Sequence, residues 1–406
     1  YALLTGRSPA SSGVTRSNGA AYSGASAISK KLLPGAQTLP EMFRRGGYHT
    51  TLIGKISHTA DGRVFAYNGD GDGRDELPHA WDDKATPMGS WKRGWGIFFA
   101  YPDGRSREDG GGHLDLMDFT VAKDTDLPDG QMTQTAIETL RKSKKSDKPF
   151  FIGLGYFKPH LPFVAPKQDW DAFEGADMPL PSPNPKIDSP WWSKSGEFFK
   201  YKTPYKKTNP LSPEAHRMAK RAYYACVRYV DREVGKVMTE LDRLGLADNT
   251  VVVVWGDHGW HLGEQQIWAK HTPFERANRS VLMIRAPGVS KPGLKTDALV
   301  ETIDLYPTLI DLCRPAFDKA QSPLDGKSLV PVLRGKKNGV RKAALSYWGD
   351  AITVRTDTHR LITKVRKGKP TQVELYDLSN DQDSVRNLAG EDKGTVQRLL
   401  KHLPAR

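Results

Sequence analysis

Four short apolar runs constrain this chain more than any other feature: YHTTLIGKIS (48–57), KPFFIGLGYF (148–157), TVVVVWGD (250–257) and SVLMIRAPG (280–288). Each is rich in β-branched or aromatic residues and far too short to span a bilayer as a helix, so each is read as a β-strand. Their apolar character is continuous rather than alternating. That pattern fits burial on both faces, and hence a mainly parallel central sheet sandwiched by helices. Helical patterns lie between the strands. TLPEMFRRGG places Thr38 at an N-cap with glycines at its end. TQTAIETLRKSKK is amphipathic and ends in lysines, which suit the negative end of the helix dipole. A long amphipathic pattern has Ser212 as cap and Pro213 at its first position, and stops at Gly245. Strands alternating with helices predict an α/β architecture.

Beyond about residue 335 the texture changes. AITVRTDTHRLITKV and QVELYDL read as short strands joined by turns, followed by an amphipathic helix in DKGTVQRLLKHL. The expected organisation is therefore an α/β unit over 1–335 and a small antiparallel sheet plus helix over 336–406. Residues 60–118 and 168–211 are rich in Gly, Pro, Asp and Trp and read as long surface loops of the kind that usually carry function.

The chemistry is expected at the carboxyl ends of the strands, where open α/β sheets bind their ligands. The first strand ends in Lys55 and His58, the second in Lys158 and His160, and the third in Asp257, His258, His261 and Lys270. A single histidine at a strand end is usually a hydrogen-bonded structural residue, and Asp-His-Gly is a common turn. Three strand ends that all deliver His or Lys, one with a carboxylate, point instead to a site for a tetrahedral oxyanion held near a metal ion. Ammonium groups hold the anion, and imidazoles move protons to and from the leaving oxygen. Asp257 and His258 are two metal ligands, too few for a tight site by themselves. No Ser, Thr or Cys stands out beside these groups as a nucleophile. Lys158, next to Pro159, is read as a rim or structural residue, because the proline interrupts strand register.

Composition narrows the partner. Lys plus Arg number 60 against 47 Asp plus Glu, a net charge of +13. Such an excess favours a polyanion: nucleic acid, an acidic membrane face or an acidic polysaccharide. No basic repeat with interleaved aromatics and no nucleic-acid module is present, so nucleic acid is set aside. No run is long enough for a membrane span. Cys226 and Cys313 give neither a disulfide framework nor zinc spacing, and both sit in apolar helical patterns as expected buried thiols.

Taken together, LLTGRSP, TLPEMFRRGGYHTTLIGKISH, LPDGQMTQTAIETL, FFIGLGYFKPHLPF, GDHGWHLGE, WAKHTPFE, DLYPTLIDLC and ELYDLSND resemble a sulfatase of the alkaline-phosphatase-like superfamily, most closely the iduronate-2-sulfatase branch. The resemblance runs along nearly the whole chain. It implies a sulfuric ester hydrolase acting on a sulfated sugar or polysaccharide, with an extracytoplasmic location. In that family a stretch like YALLTGR follows directly on a Cys/Ser-x-Pro-x-Arg signature, whose first residue is matured to formylglycine, the nucleophile. The expectation is that the nucleophile, its Arg and two further Asp ligands lie upstream of Tyr1, in a longer chain or on a separate N-terminal segment. By position, the resemblance assigns Lys55 to sulfate and the formylglycine hydroxyl, and His58 to collapse of the sulfated hemiacetal. It assigns His160 to sulfate and the leaving alcohol, and Lys270 to sulfate and its bridging oxygen. Asp257 and His258 become ligands of calcium, ahead of zinc or manganese.

Two further residues are read as substrate contacts, His261 and Trp81; Trp91 and Trp95 share with Trp81 the choice between sugar platform and loop anchor. NGDGDGRDE resembles a calcium loop, but His79 stands where an EF-hand needs its bidentate Glu, so an acidic turn is the better reading. The alternatives are a phosphodiesterase or phosphonate hydrolase of the same superfamily, or a sulfated-glycan-binding relative without catalysis. A pure binder has no need of paired His and Lys at strand ends.

Overall fold

A computed structural model of the chain describes residues 1–14, 37–57, 59–64, 73–77, 79–92, 94–107, 109, 113–181, 183–205, 210–317 and 323–404. A short first helix, α1 (Ala2–Thr5), is followed by α2 (Leu39–Arg45), whose cap is Thr38 with its hydroxyl accepting from the Glu41 amide at 3.3 Å. β1 (His49–Gly54) forms the centre of a parallel sheet, flanked by β2 (Asp83–Lys84) and β3 (Phe150–Gly155). Thr51 pairs with Asp83 on one side and Ile152 on the other. α3 (Pro128–Lys144) precedes β3, and α4 (Pro213–Arg243) follows it with Ser212 accepting from the Ala215 amide at 3.2 Å. α3 begins five residues before the amphipathic pattern TQTAIETL does. Its Asp129 carboxylate accepts from the backbone of Phe157 at 2.6 Å, which binds the helix start to the end of β3.

β4 (Val252–Trp255) pairs with β5 (Leu282–Arg285), an antiparallel pair with Val252 opposite Arg285 beside the parallel sheet. α5 (Leu305–Cys313) then leads to an antiparallel sheet of β6 (Ala344–Trp348), β7 (Ala351–Arg355), β8 (His359–Arg366) and β9 (Lys369–Asp377), in the order β9-β8-β7-β6. Against it packs α6 (Lys393–Leu400), capped by Asp392. Among the described residues no helix is long and apolar enough to cross a membrane. Cys226 is buried and Cys313 partly so, both as free thiols.

β1 is buried along almost its whole length, whereas β3 and β4 are only half-buried. The reason is lateral. No ladder joins β3 to β4 among the described residues; both strands instead border a groove of about 1860 Å³, lined by Ile152 and Leu154 from one and Val252 and Val254 from the other. β3 and β4 carry the apolar runs of fully buried strands, but among the described residues each pairs with a strand on one side only.

Candidate active site

β1 and β3 end in a backbone pinch that aims the first cation. Gly54 has φ +76°, and a Cβ there would lie 2.1 Å from the Gly155 carbonyl oxygen, so only glycine fits. The next amide, of Lys55, donates to that same oxygen at 2.9 Å. The Lys55 ammonium then lies 3.6 Å from Asp257, which follows β4 by two residues. His258 shapes the other side of Asp257. Its Nδ1 is 2.7 Å from the Gly259 carbonyl, which can only accept, so Nδ1 carries the ring proton and Nε2 presents a lone pair. Burial holds this imidazole below its usual pKa and therefore neutral, despite Asp257. Burial also opposes ionisation of Asp257, but the cations around it, Lys55 and Lys270 among them, keep the carboxyl below its ordinary value.

His258 Nε2 and Asp257 Oδ1 are 3.5 Å apart with no proton to share. Two lone-pair donors facing one another are suited to a common cation, so the pair fits part of a metal site. Among the described residues no cluster of three or more His, Cys, Asp or Glu could hold a metal, and calcium takes six to eight oxygens. His58 lies outside the described residues. Its neighbours Ser57 and Thr59 both hydrogen-bond to buried Glu76, Thr59 through its amide at 3.1 Å.

The second strand end turns rather than extends. The His160 amide donates to Phe157 at 3.0 Å, so strand alternation has lapsed by this point. Lys158 turns inward, 6% exposed, and its ammonium donates to the carbonyls of His160 at 3.1 Å and Pro162 at 2.6 Å. It is a strut beneath the site and not part of its rim. His160 donates from Nδ1 to the Leu161 carbonyl at 2.7 Å and accepts at Nε2 from the Lys270 ammonium at 2.8 Å. Burial, and then the charge of Lys270, hold His160 well below its usual pKa. Lys270 is also lowered by burial, although Glu197 and Asp257 pull the other way. The outcome is a neutral imidazole that receives a hydrogen bond from a cation made more acidic than an ordinary lysine. Lys55, His160, Asp257 and His258 all line the same groove.

Of the two expected substrate contacts, His261 does not reach the groove, and Trp81 borders it while remaining almost fully buried. His261 is wholly buried: its amide donates to Ala269 at 3.0 Å, folding the loop back on itself, and its ring is hydrogen-bonded to Thr272 at 3.0 Å. It braces the loop that carries Lys270. Trp81 is 4% exposed and packs among Leu4, Leu52, Leu77 and Ala80, because the chain enters β2 with this ring turned into the core. Trp91 is buried with its indole donating to Tyr101 at 2.8 Å, and Trp95 stacks on Phe99. The tryptophans are loop anchors. Of the acidic loop, residues 65–72 lie outside the described residues.

The sequence reading missed Glu197. Its carboxylate is 3.4 Å from His160 Nε2 and 3.7 Å from the Lys270 ammonium. In the sequence it is one acidic residue beside two aromatics in a long aperiodic loop, and no pattern marks it.

The family model described as Sulfatase matches residues 1–314. This chain belongs to the sulfatase family. A second model, described as the C-terminal part of N-sulphoglucosamine sulphohydrolase, matches residues 263–405. Among sulfatases, the chain is 30% identical over 316 residues to iduronate 2-sulfatase of Mus musculus, an alignment covering 68% of this chain and 54% of that protein. A sulfatase of Formosa agariphila is 30% identical over 393 residues, covering 90% of this chain and 69% of that one. The chain thus spans about half the length of the iduronate 2-sulfatases it matches, 54% for both the mouse and human proteins. Two solved structures share the fold. A protein in complex with its substrate D-glucosamine-2-N,6-O-disulfate superposes with a TM-score of 0.68 at 22% identity, covering 98% of this chain and 85% of that one. The phosphonate monoester hydrolase of Silicibacter pomeroyi gives 0.73 at 21%, covering 98% and 83%.

Proposed function

We propose that this chain forms the larger part of a sulfuric ester hydrolase that removes sulfate from a sulfated sugar or polysaccharide outside the cytoplasm. The observation that carries the reading is the meeting of two largely buried side chains, Lys270 and His160, at 2.8 Å within a sulfatase-family chain. An ester oxygen that gains negative charge as its bond to sulfur breaks would compete with neutral His160 for the Lys270 proton. A lysine with a lowered pKa gives that proton up more readily. Lys55, aimed by the Gly54–Gly155 pinch, would hold the sulfate oxygens from the other side. The net charge of +13 would draw in a polyanionic glycan.

Asp257 and His258 would supply two ligands of a calcium ion, which when bound adds charge stabilisation to the sulfate oxygens. A formylglycine, carried by a segment other than the residues present here, would supply the attacking oxygen. The groove between β3 and β4 supports such a segment: two half-buried apolar strands whose facing edges pair with no strand among the described residues are suited to receive a third between them.

The test is sulfate release from an aryl sulfate and from sulfated disaccharides, with matched phosphonate and phosphate diesters as competitors. The protein assembled with a signature-bearing segment should release sulfate, and the 406-residue chain alone should not, because covalent catalysis needs its nucleophile. Turnover by the chain alone, or preference of the assembled protein for the phosphorus esters, overturns this reading.

A further inference from the structure

Glu197 is fixed in place, and this is what makes its position informative. The residue two before it, Ser195, is fully buried at φ +55°, a conformation that costs energy in a residue with a side chain. Its hydroxyl accepts from the Trp268 amide at 2.8 Å. The residue after Glu197, Phe198, is buried and stacks on the Trp268 ring at 5.0 Å and 22°. Trp268 stands two residues before Lys270. The loop carrying the carboxylate and the loop carrying the ammonium are therefore clamped together at one tryptophan, and Glu197 cannot swing away when an anion arrives. With Glu197 only 19% exposed and Lys270 and His160 each 15%, their charges act through a poorly screening medium.

We propose that Glu197 is a charge filter: its fixed carboxylate beside Lys270 and His160 admits tetrahedral esters bearing one negative charge and disfavours those bearing two. The inference rests on the sulfuric ester reading above and adds the charge class of the substrate to it. An ester reaching Lys270 must come close to Glu197. A sulfate monoester brings a single charge, which Lys270 and Lys55 balance. A phosphate monoester, with its second ionisation near about pH 6, brings two at neutral pH, and the second is placed against a carboxylate that has no room to move. Size and shape are nearly the same for the two esters, so only charge separates them at this contact. Phosphonate monoesters, which carry one charge, pass the same filter.

The experiment is calorimetric binding of three probes to this chain in calcium-containing buffer at pH 8: phenyl sulfate, phenyl methylphosphonate and phenyl phosphate. The wild-type chain should bind the two singly charged esters with similar affinity and phenyl phosphate roughly tenfold or more weakly, the scale expected of a close like-charge contact. Glu197→Gln, which keeps the shape and removes the charge, should bring phenyl phosphate to within about threefold of the others, while Glu197→Asp should keep the discrimination. An unchanged ratio in Glu197→Gln overturns the filter and leaves the sulfate-ester reading standing. Loss of all binding in Glu197→Gln also overturns it, because the residue would then only position Lys270. An Asp variant that behaves like Gln excludes charge as the cause. Failure of the wild-type chain to bind phenyl sulfate overturns the filter, whereas the sulfate-ester reading stands or falls on sulfate release by the assembled protein.

Discussion

The two halves of the site are built differently. Lys55, Asp257 and His258 stand at the ends of β1 and β4 and are aimed by backbone pairing; their close contacts are with one another and the adjoining main chain. His160, Lys270 and Glu197 stand on loops and are aimed by buried side chains: Lys158 under His160, His261 and Thr272 within the Lys270 loop, and Ser195 against Trp268. The Lys270 loop is also fastened to the C-terminal sheet, where Arg355 and Arg360 hold Glu275 at 3.0 and 2.5 Å. A sheet satisfies its own polar groups and aims the residues at its ends without further support. A loop must borrow that order from neighbours, so half of this site depends on distant residues.

The largest effect should come from breaking the fastening to the C-terminal sheet. Glu275→Gln leaves buried Arg360 and partly buried Arg355 without their counter-charge, and loss of one partner from a buried pair costs about 3–5 kcal/mol. Urea unfolding should show a loss on that scale. Hydrogen exchange should quicken over 260–279 and stay slow in β1; equal quickening in β1 would erase the distinction between the halves.

Next comes Lys270 itself. In the assembled enzyme Lys270→Ala should lower kcat roughly a hundredfold or more, as for one preorganised donor to a developing oxyanion. Steady-state kinetics that left kcat near normal would remove Lys270 from the chemistry. Lys158→Met sharpens the contrast: it leaves two buried carbonyls without their donor and should cost roughly 1–3 kcal/mol of stability. Its kinetic effect should come only through a displaced His160. A variant as stable as the wild type but inactive would mean that Lys158, not Lys270, is the anion-binding lysine.

The smallest effect concerns pH. Burial pushes the pKa of His261 down to about 3 from its ordinary 6.5. Between those values the unfolded chain takes up a proton that the folded chain refuses, so this residue's contribution is fully present above pH 6.5 and is lost as pH falls toward 3. The slope from one such group is at most about 1.4 kcal/mol per pH unit. His261→Gln should flatten the acid limb of stability against pH; an unchanged limb would mean that His261 titrates normally and the brace is loose.

The strand-end half was legible in the sequence because its logic is local. An apolar run predicts a strand, the strand predicts an end, and Lys55, Asp257 and His258 stand within three residues of those ends. The caps at Thr38 and Ser212 were legible for the same reason. His261 and Trp81 were read as substrate contacts because their spacing put them near the site, but spacing along a loop says nothing about which way a side chain faces. Burial decided that, and both face inward. A continuous apolar run carries no direction, so the antiparallel pairing of β5 with β4 was not legible, and neither was the alternating exposure of β5.

By itself, then, the sequence determined the strand and helix segments, the cationic character of the strand ends and the family. Only tertiary structure decided that Lys158 is a strut, that Lys270 bonds His160, and that Glu197 from a pattern-free loop joins them. The physical reason is range. Strand and cap propensities act over a few residues, whereas Ser195–Trp268 and His160–Lys270 join positions 73 and 110 residues apart, and nothing in the local chain encodes which distant side chain will be its neighbour.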